Sequence, residues 1–322
     1  MANEVTFTGL ASSGGRVSSV LSSLLMETLH DPTDLRAVMT EVPWGALGSD
    51  SMSVTLDAAP GAFAAASSET SHGTAADNSA YTTTKFDLQV ARYVRAYQVS
   101  DLFGVSGGPI DIQTVVQTLA AGVGLTMTDL LTALFNSVGS SVGTTAVDLS
   151  TDTIYDAAFQ LNSNSVVATA DAPLTCVLHP TGMNDFRQSL RSETGAQSFQ
   201  SASAEMLATR GPGYQGVWNG IEFWQSDSCP TINAGADRSQ AMFGKGAFAY
   251  TMAPVSALQG HIPASNVMLD AGPVRVELSR DAANGLSKAI AHMFPAVSEA
   301  EDLCACEIVS AAYSHFLPLI TI

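Results

Sequence analysis

Two runs of alternating residues enclose a stretch that a compact domain does not readily absorb. Met52, Val54 and Leu56 alternate with polar neighbours, and Phe86, Leu88 and Val90 do the same. Each pattern puts its apolar side chains on one face of a strand. Between them lie the 28 residues Asp57 to Thr84, dominated by Ala, Ser, Thr and Gly. A structureless loop of that length is uncommon inside a compact domain. A long two-stranded hairpin projecting from the body accounts for it. A lone hairpin is only marginally stable in water, so this one must lie on something, and an adjacent copy of the chain is the expected support.

Charge points the same way. The 322 residues carry 13 Lys and Arg against 30 Asp and Glu, a formal net charge of −17. Lys85, Lys245 and Lys288 are the only lysines. This balance excludes a protein that grips nucleic acid by neutralising phosphates. Charged residues make up 13% of the chain, about half the usual ~25%. A compact monomer of this size exposes about 12,600 Å², which spaces the charges at about one per 290 Å². Much of the surface is therefore Ala, Ser, Thr, Gly and apolar side chains, which suits burial against other copies. The length suggests roughly two domains. No uncharged apolar run reaches the roughly 18 residues of a membrane helix. The longest candidate, Ile112 to Thr128, is interrupted by Gln113, Thr114, Gln117, Thr118, Gly122 and Gly124. Met1 to Leu10 carries Glu4 and no basic residue, so no secretory signal is read and an intracellular, soluble product is expected.

Along the chain, residues 1–15 are small and polar and end in Ser12-Ser13-Gly14-Gly15, an expected mobile arm. Val17, Val20, Leu21, Leu24 and Leu25 recur at helical spacing, and Asp31-Pro32 stops that helix. It has little of its own domain to pack on and is expected to dock on a neighbour. Leu35 to Trp44 reads as an irregular link. After Gly107-Gly108-Pro109, Asp111 can cap a helix. From Ile112 to Leu134 the apolar residues follow at spacings of three and four, one helix of about 25 residues and roughly 38 Å. Gly122 and Gly124 weaken it. Further helices are read at Thr153–Leu161, Thr181–Ser192 and Ala204–Ala208. Strands are read at Leu174–Leu178, Gly220–Gln225 (with Val217–Trp224 strand-like around it), Met242–Met252, Val274–Leu278 and Leu303–Tyr313. The mixture is α+β, without a regular βαβ repeat.

Chemical motifs are present but sit in the wrong surroundings. Gly139-Ser140-Ser141-Val142-Gly143 fits G-x-S-x-G, yet a nucleophile elbow needs a strand before it and a helix after. Here a long helix precedes it. Gly211-Pro212-Gly213-Tyr214-Gln215-Gly216 fits G-x-G-x-x-G with helix and strand in reversed order. Gly244-Lys245-Gly246 lacks the rest of a phosphate loop. The six histidines are scattered singly, and Asp148, Asp152 and Asp156 lack EF-hand spacing. Asp185-Phe186-Arg187 and Arg191-Ser192-Glu193 read as a solvated helix face. Four cysteines, Cys176, Cys229, Cys304 and Cys306, do not read as a disulfide framework in a chain of this length. Cys304 and Cys306 are expected to share one strand face as packed thiols. No catalytic, cofactor-binding or metal-ligating residue is assigned.

The order of parts, with four segments, carries a resemblance. The segments are Asp171-Ala172-Pro173-Leu174-Thr175-Cys176-Val177-Leu178-His179-Pro180, Gly220-Ile221-Glu222-Phe223-Trp224, Phe243-Gly244-Lys245-Gly246-Ala247-Phe248 and Val276-Glu277-Leu278-Ser279-Arg280-Asp281. The chain resembles the tailed-bacteriophage major capsid proteins of the Hong Kong 97-like fold. The resemblance implies an N-terminal arm at 1–45, an extended hairpin at 46–98, a peripheral domain with the long spine helix at 99–144, an axial domain at 145–262 and return strands at 263–322. It implies a homo-oligomer of hexamers and pentamers enclosing double-stranded DNA without sequence-specific binding, in a virion assembled in the host cytoplasm. It also implies a separate scaffolding protein, a portal protein and a possible decoration protein. Some members join subunits through a hairpin lysine. Lys85 is the only lysine of this hairpin, no motif around it supports the bond, and no cross-link is expected. Two alternatives stand beside this reading: an encapsulin-like shell around protein cargo, and a soluble serine hydrolase using Ser141.

Overall fold

The alternating runs do close into a hairpin. A computed structural model describes residues 35–45, 49–57, 83–100, 112–166, 168–169, 172–192, 199–211, 213–254, 267–271, 274–281 and 284–313. The expected arm, the helix at 17–29, the hairpin tip and the Asp111 cap lie outside these residues. A single 3-10 turn at Leu35–Val38 leads into strand β1 (Thr40–Glu41). Strands β2 (Ser51–Asp57) and β3 (Thr83–Gln89) pair antiparallel from Ser51↔Gln89 to Asp57↔Thr83. On the outer face Ser53 donates a hydrogen bond to the Asp87 carboxylate. Phe86 and Leu88 turn inward and are buried, in one cluster with Ala249 and Ala296 of the same chain. Burying two such side chains is worth about 3–6 kcal/mol. The base of the hairpin therefore rests on its own body, which corrects the expectation that a neighbouring copy must support it from the root.

Three residues after β3, strand β4 (Tyr93–Ser100) leaves the hairpin for a different sheet. Helix α1 (Ile112–Ala133) is the expected long helix, about 33 Å at 1.5 Å per residue. Val123, Met127 and Leu131 form its buried stripe, and a 3-10 turn at Phe135–Ser137 ends it. Gly122 has a packing role: a Cβ there would sit 3.3 Å from the Arg95 guanidinium, which crosses the helix at this point.

Strand β5 (Ser141–Gly143) follows, then helix α2 (Thr151–Ser163), capped by the Ser150 hydroxyl, which accepts from the Thr153 N–H. Strand β6 (Leu174–Leu178), helix α3 (Pro180–Ser192), strand β7 (Gln200–Ser201) and the short helix α4 (Ala204–Arg210) come next. The expected Gly220–Gln225 strand is β9 (Ile221–Gln225), and the strand-like stretch before it belongs to a separate strand, β8 (Tyr214–Trp218). Asn219 and Gly220 both take positive φ, 52° and 77°, the pairing of a type I′ hairpin turn that Asn-Gly favours. Strand β10 (Thr231–Ile232) is brief. The expected Met242–Met252 strand is likewise two, β11 (Asp237–Phe243) and β12 (Phe248–Met252), broken at Gly244-Lys245-Gly246. Strands β13 (Val267–Ala271), β14 (Val274–Asp281), β15 (Leu286–Met293), β16 (Pro295–Glu299) and β17 (Ala305–Ala311) complete the described chain.

These strands form four sheets. The largest runs β5-β17-β11-β6-β9-β8-β7, with β10 beside β11. It is mixed: β5 with β17 and β6 with β9 are parallel, the rest antiparallel. β13-β14-β15-β4 is a four-stranded antiparallel sheet, and β1-β12-β16 is a mixed three-stranded sheet in which β1 and β12 are parallel. Both faces of the eight-stranded sheet are covered. Cys176, Leu178, Met242 and Ile308 face a core shared with α2 and α3 (Ile154, Leu161, Phe186). Val177, Ala241, Phe243 and Ala305 face the other core, shared with α1 and with Phe248 and Met293 of the smaller sheets. Two covered faces explain why β6 is buried at every position instead of alternating.

Candidate functional site: the junction between the sheets

The residues that could have made an enzyme stay apart. Ser141 is exposed on β5, an edge strand pairing parallel with β17, and no elbow forms. Among the described histidines, His179 sits at the start of α3, where its Nδ1 accepts the Thr181 N–H. Burial first and the Arg238 charge second push it down to about 4. His292 lies between Arg92 (3.1 Å) and Glu277 (3.5 Å), on β15 of the four-stranded sheet. Gly211 follows α4 and Gly216 lies in β8 at a register shift, so the glycine-rich run passes from helix to strand as expected of a plain loop. Among the described residues no three His, Cys, Asp or Glu are grouped to hold a metal ion. Asp152 is exposed in the first turn of α2, and Asp148 and Asp156 line an open cleft.

Two side-chain readings need correction. Asp185 and Phe186 are not a solvated face: they are 1% and 0% exposed, and Arg187 donates to Gln215 Oε1 at 2.9 Å while lying over the Phe199 ring. Phe186 stacks on Phe223, with centroids 4.8 Å apart. Helical spacing alone does not reveal that α3 is pressed against a sheet along this edge. Cys304 and Cys306 do not share a face either. Cys304 closes a 3-10 turn (Asp302–Cys304) and packs on the α1 core, whereas Cys306 lies in β17 and packs on the α2–α3 core. Burial first and Glu307 second push the Cys306 thiol up to about 11, so it is an inert packed group.

The structure brings together a different set of residues. The chain crosses between the eight-stranded sheet and the rest of the molecule at 134–140, 244–247 and 300–304, and the crossings bond to one another. The Gly244 N–H donates to Cys304 O at 2.9 Å, and the Ala300 N–H to Ala247 O at 2.8 Å. The Gly139 N–H donates to Asp302 Oδ1 at 2.6 Å across 163 residues of sequence. A Cβ on Gly139 would lie 2.4 Å from Asp302 Oδ2, and one on Gly244 would lie 2.5 Å from Val166. At the same point Glu299 hydrogen-bonds Asp302. Burial, and then the bond to and charge of Asp302, push the Glu299 carboxyl up to about 7. Burial and the neighbouring Asp302 thus hold the Glu299 carboxyl in its protonated form well above the ordinary carboxylate range. Nothing in the local pattern of Ser298-Glu299-Ala300-Glu301-Asp302 marks them out, because Gly139 and the burying sheet come from elsewhere in the chain.

The pH consequence is signed. Between about pH 4.5 and 7 the folded state keeps a proton on Glu299 that the unfolded chain has released. Stability supplied by this group is full below that range and is lost as pH rises through 7. His179 adds the opposite slope between about 4 and 6.5, because it stays neutral when folded. The difference between wild type and Glu299→Gln therefore isolates the Glu299 carboxyl. Denaturant midpoints measured from pH 5 to 8 should fall more steeply for wild type, and parallel curves would refute the raised Glu299 carboxyl.

No known protein family's sequence profile matches the chain, and no curated protein matches it. Solved structures do. The head structure of Helicobacter pylori bacteriophage KHP40 aligns over 96% of this chain and 98% of its own, with TM-score 0.59 and 9% identity. A subunit of the capsid of a native GTA particle covers 88% and 92%, with TM-score 0.57 and 13% identity. The holo-SrpI encapsulin complex from Synechococcus elongatus covers 94% and 98%, with TM-score 0.54 and 11% identity. The chain has the Hong Kong 97-like fold.

Proposed function

We propose that this chain is the major capsid protein of a tailed bacteriophage, forming hexamers and pentamers of an icosahedral head around double-stranded DNA. The observation that carries the reading is whole-length coincidence: a phage head subunit aligns over 96% of this chain and 98% of its own, so little of either chain is left over for another task. The surface supports it. Val94, Val147, Phe159, Leu303 and Tyr313 are large apolar side chains at least 49% exposed. All seven residues of α4 are exposed, Met206 and Leu207 among them, and an ion pair from Arg210 to Glu222 (2.8 Å) ties the helix to β9. Such faces fit contacts between subunits better than free solvent. With a net charge of −17, DNA is contained without being gripped.

The same reading divides the chain into an arm at 1–45, a hairpin at 46–98, a peripheral domain at 99–144, an axial domain at 145–262 and return strands at 263–322. It assigns a separate scaffolding protein, a portal and a decoration protein as partners, and no enzymatic role. Among the described residues no helix is long and apolar enough to cross a membrane. The encapsulin likeness supplies the second reading, a shell around protein cargo. The test is to express the chain with and without its candidate scaffold and examine it by negative-stain microscopy and sedimentation. Closed shells are expected, and particles from infected cells should protect double-stranded DNA from nuclease. A sole species near 33.4 kDa would end both readings, and shells filled only with protein would favour the second.

A further inference from the structure

Charge is unevenly placed along the chain, and the fold puts its extremes on opposite edges of the eight-stranded sheet. From Ala96 to Phe186 there are eight Asp and no Lys or Arg. β5 and α2 both lie in that stretch, so neither supplies a cation to the edge they form. A cleft of about 440 Å³ opens there, with Val142, Val147, Phe159, Asp148 and Asp156 in its wall. Phe159 is 72% exposed and Val147 52%. Large apolar side chains beside carboxylates fit a protein surface that brings apolar groups and cations together.

The other edge, at β7 and β8, offers that combination. Arg187 is held beside β8 by its bond to Gln215. Arg191 follows one helical turn later and is exposed. Ser189, about 200° around α3 from each of them, accepts the Thr151 N–H of α2 at 3.2 Å. The two arginines therefore point away from α2 and its carboxylates. Arg210 ends α4 and reaches Glu222 of β9. The exposed Met206 and Leu207 stand four and three residues before it, on the same stripe of α4. β7 is six strand spacings from β5, about 29 Å. One chain cannot bring this edge to its own cleft, so the match is between copies. Two different patches that meet make a head-to-tail contact, which closes into a ring when the rotation allows.

We propose that the β7–β8 edge of one copy docks on the β5 edge of the next, with Met206 and Leu207 against Val147 and Phe159 and the arginines toward Asp148 and Asp156. It rests on the capsid reading, since a ring of five or six such contacts makes a pentamer or a hexamer. Paired cysteines on the full chain test it. Phe159→Cys and Met206→Cys are combined with Cys304→Ser, since the other native thiols are buried. Mild oxidation of the assembled protein should give a ladder of covalent multimers that ends at five or six copies. Phe159→Cys with Cys304→Ser alone should give none, and a dimer from it would assign the cleft to a symmetric contact and overturn the proposal. Closed shells without a ladder would overturn it and leave the shell reading intact, whereas a sole monomer without a ladder would end both. A second measurement covers cysteine variants that fail to fold. Asp156→Arg should lower the yield of shells about tenfold or more, and adding Arg191→Asp should recover most of it. Unchanged yield, or no recovery, would likewise overturn the proposal.

Discussion

Phe243→Ala should destabilise the unassembled protein by about 3–5 kcal/mol, the range for emptying a buried aromatic site. Phe243 is 1% exposed on β11, a central strand of the eight-stranded sheet. Its ring meets Phe248 at 5.0 Å in a T-shaped contact and Phe135 at 6.2 Å. Phe135 lies in the turn that ends α1, and Phe248 begins β12. The three rings therefore join the long helix, the large sheet and the three-stranded sheet at one point. A cavity there cannot be filled by one element shifting, because each ring is fixed by a different element. Edge-to-face contacts add about 0.5–1.5 kcal/mol beyond area. Guanidinium unfolding should show a large drop in midpoint for Phe243→Ala. Phe243→Leu, which keeps more of the volume, should lose clearly less. Equal midpoints for Phe243→Ala and wild type would show that the three elements are not joined here.

Gly182→Ala is the second large effect, about 2–4 kcal/mol, from a single added methyl group. An ideal Cβ on Gly182 would sit 2.4 Å from Gln240 Oε1. Gln240 is fully buried and cannot swing away freely. Its Oε1 accepts the His179 N–H at 2.9 Å, and its Nε2 donates to Ser310 Oγ at 2.7 Å. One side chain thus ties the entry to α3 to both β11 and β17. Displacing it leaves buried groups without partners, at about 1–3 kcal/mol each. A double-mutant cycle separates this from ordinary overpacking. In a Gln240→Ala background the added methyl meets empty space, so Gly182→Ala should then cost much less. Additive losses would show that the clash with Gln240 is not the cause.

Residue pattern revealed most of the elements. Alternation located β2, β3 and β14, a three-and-four spacing located α1, and proline or glycine marked the ends of α3 and α4. The misreadings have two sources. Asn219-Gly220 and Gly244-Lys245-Gly246 are turns inside apolar runs, so Val217 belongs to β8 and not to β9, and Met242–Met252 is two strands. Asp185 departs from its pattern because burial depends on what packs over a residue, and Cys304 departs from Cys306 because a 3-10 turn ends at Cys304 and β17 begins after it. The hairpin was expected to lean on a neighbour because nothing between residues 51 and 90 shows that Ala249 and Ala296 will meet it.

Local spacing fixes which way a side chain points along its own helix or strand, and that information lies within a few residues. It settled most element types, among them the alternating strands β2 and β3 and the long helix, and the sparse charge of the chain. Which strands became neighbours was settled elsewhere. β17 lies between β5 and β11, and Asp302 reaches Gly139 across 163 residues. The joint at Glu299, Asp302 and Gly139 follows from those pairings. Its chemistry exists because distant segments exclude water from a carboxyl that its neighbours in the chain would have left exposed.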